Sequence, residues 1–292
     1  LVRGDSRALL ALQGPKAAEA LARLGIAPVE LGGAPLAELK FMQADIYDWS
    51  GRRLGISRSG YTGEDGFEIS VQAEHAAALA DALCDQPEVR PIGLGARDSL
   101  RLESKLPLYG NDLDDEHTPL EAGLGWAVKL DNRDFLGAAV LREQKAKGLT
   151  RQLVGFTIPE AARAIARHGY PVLDADRKII GTVTSGGPGI VVGGSIGLAY
   201  VPTAMAPAGT TLTIDCRGKD VAATVVAGKF YKTARCGPPL LPSPTPTTAS
   251  AATSAAGGPD AGINLDAVAG TWTGKYDAQK GRVAMPTDVK DA

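Results

Sequence analysis

The sequence is poor in cysteine and in histidine, with only three residues of each among 292. Cys84, Cys216 and Cys236 are odd in number and lie far apart. A fold held together by disulfides is therefore excluded, and we interpret the three cysteines as free thiols of a reducing compartment. The histidines show none of the short spacings that metal sites use, so we predict no metal site.

The sequence also lacks a dominant charge and a long apolar run. Lys and Arg number 31 against 33 Asp and Glu, which gives a net charge of -2. This balance gives no electrostatic basis for a nucleic-acid or membrane-surface partner. Hydrophobic residues make up 44% of the chain, but no apolar run approaches the roughly 20 residues of a membrane span. We therefore expect a soluble protein.

The length of 292 residues suffices for two ordinary domains. Apolar spacing predicts a helix over residues 8–24, and Pro15 places its first turn near Gly14 with a strand before it. Two extended runs over 39–49 and 53–58 predict a strand-turn-strand. Residues 75–84 have a helical composition.

From about Leu153 the pattern changes to short β runs separated by turn residues, which favours a small barrel or a sandwich. The predicted strands cover residues 153–158, 170–173, 179–183, 190–192, 196–201, 211–214 and 221–226. Beyond Gly237 the chain is rich in Pro, Ser, Thr and Ala, a composition that buries too little apolar surface to offset chain entropy. We therefore predict domains over 1–150 and 151–237, followed by a linker and disordered tail over 238–292.

A glycine-rich stretch, Arg58-Ser-Gly-Tyr-Thr-Gly-Glu-Asp-Gly-Phe-Glu-Ile-Ser70, stands out chemically. Its glycines permit positive φ and close backbone approach. After Gly66 the apolar and polar residues alternate, so Phe67 and Ile69 should face a core while Glu68 points to the opposite face. Glu68 is then either a hydrogen-bond acceptor for a ligand with N–H donors, or one of several solvated acids on a polar hairpin.

Other candidate residues also admit two interpretations. Arg97 lies on a short helix opened by Gly93. It either pairs on the surface with a nearby acid such as Asp98 or Glu103, or recognises a carboxylate bidentately. The acidic run from Asp112 to Glu116 is interpreted as a solvated loop. Trp126 is a core indole or, given its small neighbours, a surface on which a flat ring stacks.

Eight segments carry a resemblance to a known family: Arg58–Ser70, Gly93–Glu103, Leu106–Leu113, Thr118–Val128, Arg167–Pro171, Gly181–Pro188, Ile196–Pro202 and Phe230–Lys232. Together they resemble the aminomethyltransferase (T-protein) family of the glycine cleavage system. The resemblance runs in order from about Leu9 to Lys232, and a series of this density is specific. It implies an α+β protein, in which a folate-binding α/β domain that is truncated at its N-terminus precedes a small C-terminal β-barrel.

The resemblance implies transfer of an aminomethyl group from the dihydrolipoyl arm of the H-protein to the co-substrate tetrahydrofolate, with release of ammonia. It implies a location in the bacterial cytoplasm or the mitochondrial matrix. By position in the family motifs, Glu68 corresponds to the glutamate that binds the pterin, and Arg97 to the arginine facing the folate. The resemblance also places Tyr61 and Trp126 as pocket walls and Tyr231 near the site.

The sequence departs from the family in one respect. Family members carry an earlier Gly-Gly-Ile-x-Asp-like segment whose aspartate is considered essential, and no such motif occurs here. We therefore assign no catalytic residue and expect an N-terminal part to be missing, which would leave this chain an inactive fragment. Two alternatives stay open: the folate domain of a sarcosine or dimethylglycine dehydrogenase, and a non-catalytic folate-binding protein.

Overall fold

The computed structural model describes residues 6–29, 33–131 and 133–231, together with two short strands near the C-terminus. The described residues form two compact units. The first unit contains the described residues up to Gly60, Asp65–Pro91 and the two short C-terminal strands, and the second contains Tyr61–Glu64 and the described residues from Ile92 to Tyr231. The glycine-rich stretch is therefore divided, because Tyr61–Glu64 belongs to the second unit.

The first unit is a five-stranded antiparallel sheet with the strand order β1-β5-β4-β3-β2. Its strands are β1 Arg7–Gln13, β2 Ala27–Pro28, β3 Ala44–Trp49, β4 Arg52–Ser57 and β5 Gly66–Gln72. Its helices are α1 Ala17–Ala22 and α2 Ala76–Cys84, with 3-10 turns at Leu36–Glu38 and Ala73–His75. The predicted strand before the first helix and the predicted helix up to Cys84 are confirmed.

One face of this sheet carries the core of the first unit, which α1 and α2 join through Leu21 and Leu79. Phe67 and Ile69 are fully buried in it, and the intervening Glu68 is only partly buried. Because side chains alternate along a strand, Glu68 lies on the opposite face, beside its register partners Ala11 and Ser57. The predicted alternation after Gly66 is confirmed.

The second unit contains a closed six-stranded barrel with the order β10-β11-β6-β9-β8-β7. Its strands are β6 Arg151–Ile158, β7 Pro171–Leu173, β8 Ile179–Pro188, β9 Ser195–Pro202, β10 Thr211–Asp215 and β11 Asp220–Val226. Its helices are α3 Leu94–Glu103 and α4 Ala138–Lys147, with 3-10 turns at Gly125–Ala127, Glu160–Ala162 and Thr203–Met205. The predicted α+β class with a C-terminal barrel is confirmed, and closure leaves the barrel without a free edge.

The predicted strand at residues 190–192 is wrong. These residues form the turn between β8 and β9, and β8 continues to Pro188 instead. The amide of Gly193 donates to the carbonyl of Gly189, and that of Gly189 donates to Gly194, which closes the turn. Gly193 and Gly194 both have positive φ, so the glycines turn the chain before its apolar residues can extend.

The predicted tail over residues 238–292 lies outside the described residues, apart from two strands. These strands, β12 Tyr276–Asp277 and β13 Arg282–Val283, pair with each other in antiparallel fashion. The predicted domain boundaries near residues 150 and 237 stay predictions. Among the described residues, no helix is long and apolar enough to cross a membrane.

Candidate functional site

The part of the glycine-rich stretch that lies in the first unit is held by a buried ion pair. The Arg58 guanidinium donates from Nε and Nη2 to the two Asp65 carboxylate oxygens, at 2.9 and 2.6 Å. Its Nη1 donates to the Leu39 carbonyl. Arg58 and Asp65 are 4% and 7% exposed, so the interpretation of these acids as solvated is wrong for Asp65. The pair thus holds together the two ends of segment 58–65.

The amide of Gln13, at the end of β1, explains why glycine stands at two positions of this segment. Its Nε2 donates to the carbonyls of Ser59 and Phe67 at 3.1 and 3.2 Å. A Cβ at Gly60 or at Gly66 would overlap the Gln13 side chain. Glycine is needed at both places because the amide lies directly against the backbone.

The carboxylate of Glu68 is oriented by serine hydroxyls on the same sheet face. Ser59 Oγ donates to Glu68 Oε2 at 2.6 Å, and the hydroxyls of Ser57 and Ser59 are 2.7 Å apart. Among the described residues of this unit, no donor is hydrogen-bonded to Glu68 Oε1. Glu68 therefore has a fixed plane and one oxygen available to an external donor.

In the second unit, Tyr61 and Arg97 lie together. The Arg97 guanidinium carbon is 5.3 Å from the centre of the Tyr61 ring, within the range of a cation–π contact. The Tyr61 hydroxyl donates to the Pro107 carbonyl at 2.5 Å. Burial raises the pKa of this hydroxyl, and nearby Arg101 partly opposes the rise. Tyr61 is therefore a neutral, anchored ring beside an exposed guanidinium.

Arg101, and not Arg97, pairs with the neighbouring acids. Arg101 Nη2 is 2.6 Å from Asp98 Oδ1, and Nη1 is 2.9 Å from Asp112 Oδ2. Ser185 Oγ also donates to Asp112 Oδ2. Asp112 is fully buried, so the prediction of a solvated acidic loop is wrong for this residue. Within the described part of its unit Arg97 forms no ion pair, which leaves its charge available.

Trp126 and Tyr231 occupy two further places in the second unit. Trp126 is 78% exposed in the 3-10 turn Gly125–Ala127, so its interpretation as a core indole is wrong. Tyr231 is partly buried, and its amide donates to the Glu103 carbonyl at 2.9 Å.

Among the predicted site residues, the structure thus brings together Tyr61 and Arg97 within one unit. Glu68 belongs to the other unit. Its predicted role in a shared pocket stays a prediction, as do the roles of Trp126 and Tyr231 as site residues.

Sequence reasoning missed the contacts that Gln13 and Ser59 make with the glycine-rich stretch. Ser59 lies 9 residues before Glu68, across a loop. No local sequence pattern shows that this loop brings the Ser59 hydroxyl to the carboxylate. Gln13 lies 46 residues before Ser59, beyond the reach of any periodicity argument. Among the described residues, no group of three or more His, Cys, Asp or Glu could hold a metal ion.

Comparison with known proteins gives consistent matches. Residues 3–132 match the GCVT N-terminal domain model, and residues 151–232 match the glycine cleavage T-protein C-terminal barrel domain model. An aminomethyltransferase of Nostoc sp. is 45% identical over 233 residues, which are 80% of this chain and 59% of the relative. That of Symbiobacterium thermophilum is 47% identical over 236 residues, 79% of this chain and 60% of the relative.

The structural neighbours agree. The crystal structure of the glycine cleavage system aminomethyltransferase T from Bartonella henselae superposes with a TM-score of 0.70 at 41% identity, covering 77% of this chain and 60% of that protein. The chain therefore spans about 60% of the length of the relatives it matches. With both domain models matched in order along residues 3–132 and 151–232, this chain belongs to the glycine cleavage T-protein family.

Proposed function

We propose that this chain provides the folate-binding part of a glycine cleavage aminomethyltransferase. The proposed reaction moves an aminomethyl group from the dihydrolipoyl arm of the H-protein to tetrahydrofolate and releases ammonia. The observation that carries the proposal is the half-buried carboxylate of Glu68, which Ser59 orients through Oε2 and whose Oε1 has no donor among the described residues of its unit. A fixed carboxylate with a free oxygen suits the adjacent N–H donors of a pterin ring.

The second unit supports the same proposal. Arg97 is exposed and forms no ion pair within the described part of its unit, and a guanidinium of this kind suits a carboxylate such as the folate tail. Trp126 offers an exposed flat ring on which an aromatic part of a ligand can stack. We propose Tyr61, which lies beside Arg97, as a wall of the ligand site, and assign Tyr231 to its neighbourhood.

The chemistry requires little covalent work from the protein. A nitrogen of tetrahydrofolate attacks the carbon of an N–CH2–S group, the lipoyl sulfur leaves as a thiol, and loss of ammonia closes the methylene bridge between N5 and N10. Such a reaction depends on holding the attacking nitrogen near the carbon, and on handling charge as ammonia departs. Within the first unit, Glu68 contributes by holding the pterin end of the folate.

The test is the affinity for tetrahydrofolate of the 292-residue chain and of Glu68→Gln, measured by calorimetry. One charged contact is worth about 1.5–3 kcal/mol, so the substitution should raise Kd about tenfold to a hundredfold. Glu74→Gln is the matched control, because the Glu74 side chain is 72% exposed in the same unit. Ammonia release from aminomethyl-lipoyl H-protein reports transfer separately from binding.

Two results would contradict the proposal. The first is an absence of tetrahydrofolate binding by the unmodified chain. The second is an equal Kd for Glu68→Gln and Glu74→Gln, because the carboxylate at position 68 would then make no contact with the ligand.

A further inference from the structure

The Glu68 carboxylate is hydrogen-bonded to the Ser59 hydroxyl, which is in turn hydrogen-bonded to the Ser57 hydroxyl. Ser59 Oγ donates to Glu68 Oε2 at 2.6 Å, so its own oxygen is left to accept from Ser57 Oγ, which is 2.7 Å away. Ser57 is also the register partner of Glu68 across β4 and β5. Both serines are partly buried. Ser57, Ser59 and Glu68 therefore form one continuous series of hydrogen bonds on the sheet face opposite the core.

The position of Ser59 is set by the backbone around it. Gln13 Nε2 holds the Ser59 carbonyl, and the same amide group holds the Phe67 carbonyl next to Glu68. The preceding residue, Arg58, is held by the buried pair with Asp65. The Ser59 carbonyl is therefore held by Gln13 and the preceding residue by Asp65, and from this position the Ser59 hydroxyl donates to the carboxylate.

These hydrogen bonds determine which lone pairs of the Glu68 carboxylate remain for a ligand. A glutamate side chain loses substantial rotamer freedom when it is ordered, and that cost is avoided on binding if the side chain is ordered beforehand. With Ser59 bonded to Oε2, the carboxylate plane is fixed, and Oε1 together with the remaining lone pair of Oε2 is left for two adjacent donors.

We propose that Ser59, supported by Ser57, is a positioning residue that orients the Glu68 carboxylate toward a ligand with two adjacent N–H donors. This inference rests on the proposed function, because it assigns Glu68 to the pterin end of tetrahydrofolate. It adds that affinity depends on a hydroxyl that need not touch the ligand.

The test measures Kd for tetrahydrofolate with the 292-residue chain and its variants. Ser59→Ala should raise Kd about tenfold, the loss of one hydrogen bond to a charged group, whereas Ser59→Thr should restore most of the affinity because it keeps the hydroxyl. Ser57→Ala should raise Kd by a smaller factor. Ser70→Ala is the matched control, because this hydroxyl lies on the same face of β5 but bonds to Arg7.

A double-substitution cycle separates orientation of Glu68 from general structural damage. In the Glu68→Gln background, Ser59→Ala should cause much less than its tenfold effect, because the charged acceptor it orients is gone. An equal effect in both backgrounds would overturn the inference, as would a Ser59→Ala variant whose Kd matches that of Ser70→Ala while Glu68→Gln still weakens binding. If the unmodified chain does not bind tetrahydrofolate, the proposed function itself fails, and the two failures are thereby distinguished.

Discussion

Replacing Asp65 by asparagine tests the role of the buried pair in the first unit. The change keeps the shape of the side chain and one acceptor oxygen, but it removes the negative charge and one of two charge-assisted hydrogen bonds to Arg58. Arg58, which is only 4% exposed in the folded protein, then lacks the compensating charge of Asp65. The Leu39 carbonyl, which accepts from Nη1 at 2.9 Å, is a dipole and does not replace a full charge.

The expected loss of stability is large. Removing one partner of a buried ion pair costs about 3–5 kcal/mol, because the remaining charge was transferred out of water to make the pair. A loss of this size should lower the melting temperature by about 6–20 °C, given about 2–4 °C for each kcal/mol in proteins of 150–250 residues.

The measurement is thermal unfolding followed by circular dichroism, at pH 7, for Asp65→Asn and a control. Glu143→Gln is the matched control, because it removes a carboxylate from a solvent-exposed i,i+4 pair with Lys147 on α4. Exposed helix pairs contribute only about 0.3–0.5 kcal/mol, so the control should shift the transition by about 1–2 °C.

A second variant separates the lost charge from lost packing. In Arg58→Met/Asp65→Leu both charges are removed and apolar groups fill the space, so the double variant should be more stable than Asp65→Asn. The reasoning is refuted if Asp65→Asn melts within about 2 °C of Glu143→Gln. In that case the pair would be solvated in the folded protein, contrary to its burial.

Two further predictions concern stability. Gly63 has φ 81° and a Cβ there would overlap Ser104 Oγ, whereas Gly51 has φ 79° and open space around it. Gly51→Ala should therefore cost about 1–2 kcal/mol and Gly63→Ala clearly more in urea unfolding, and equal costs would show that Ser104 moves away freely. Burial, and to a smaller extent the negative charge of Asp45, raises the pKa of Tyr47 from 10.0 to about 12. The folded state thus favours the neutral phenol, and this contribution to stability is complete below pH 10 and is lost as pH rises through about 12. Unfolding midpoints between pH 9 and pH 12 should fall more steeply for the unmodified protein than for Tyr47→Phe, and parallel curves would contradict the assignment.

The sequence by itself determined those features that depend on neighbouring residues. The alternation of Phe67, Glu68 and Ile69 placed Glu68 away from the core, because side chains on a strand point to opposite faces in turn. The short β runs after Leu153 predicted the second domain, and the ordered motifs identified the family. The strand predicted at residues 190–192 was wrong because it was inferred from apolar composition alone. The glycines on either side close a turn there instead.

Only the tertiary structure decided the partners of the charged and polar groups. Asp98 bonds to Arg101 instead of Arg97, and Asp112 is buried instead of solvated, because helix α3 and the barrel enclose one guanidinium and leave the other outside. Likewise the contacts that orient Glu68 join residues 9 and 46 positions apart. Such contacts depend on strand register and on the path of a loop, and these are set by the packing of the whole unit rather than by any local pattern of residues.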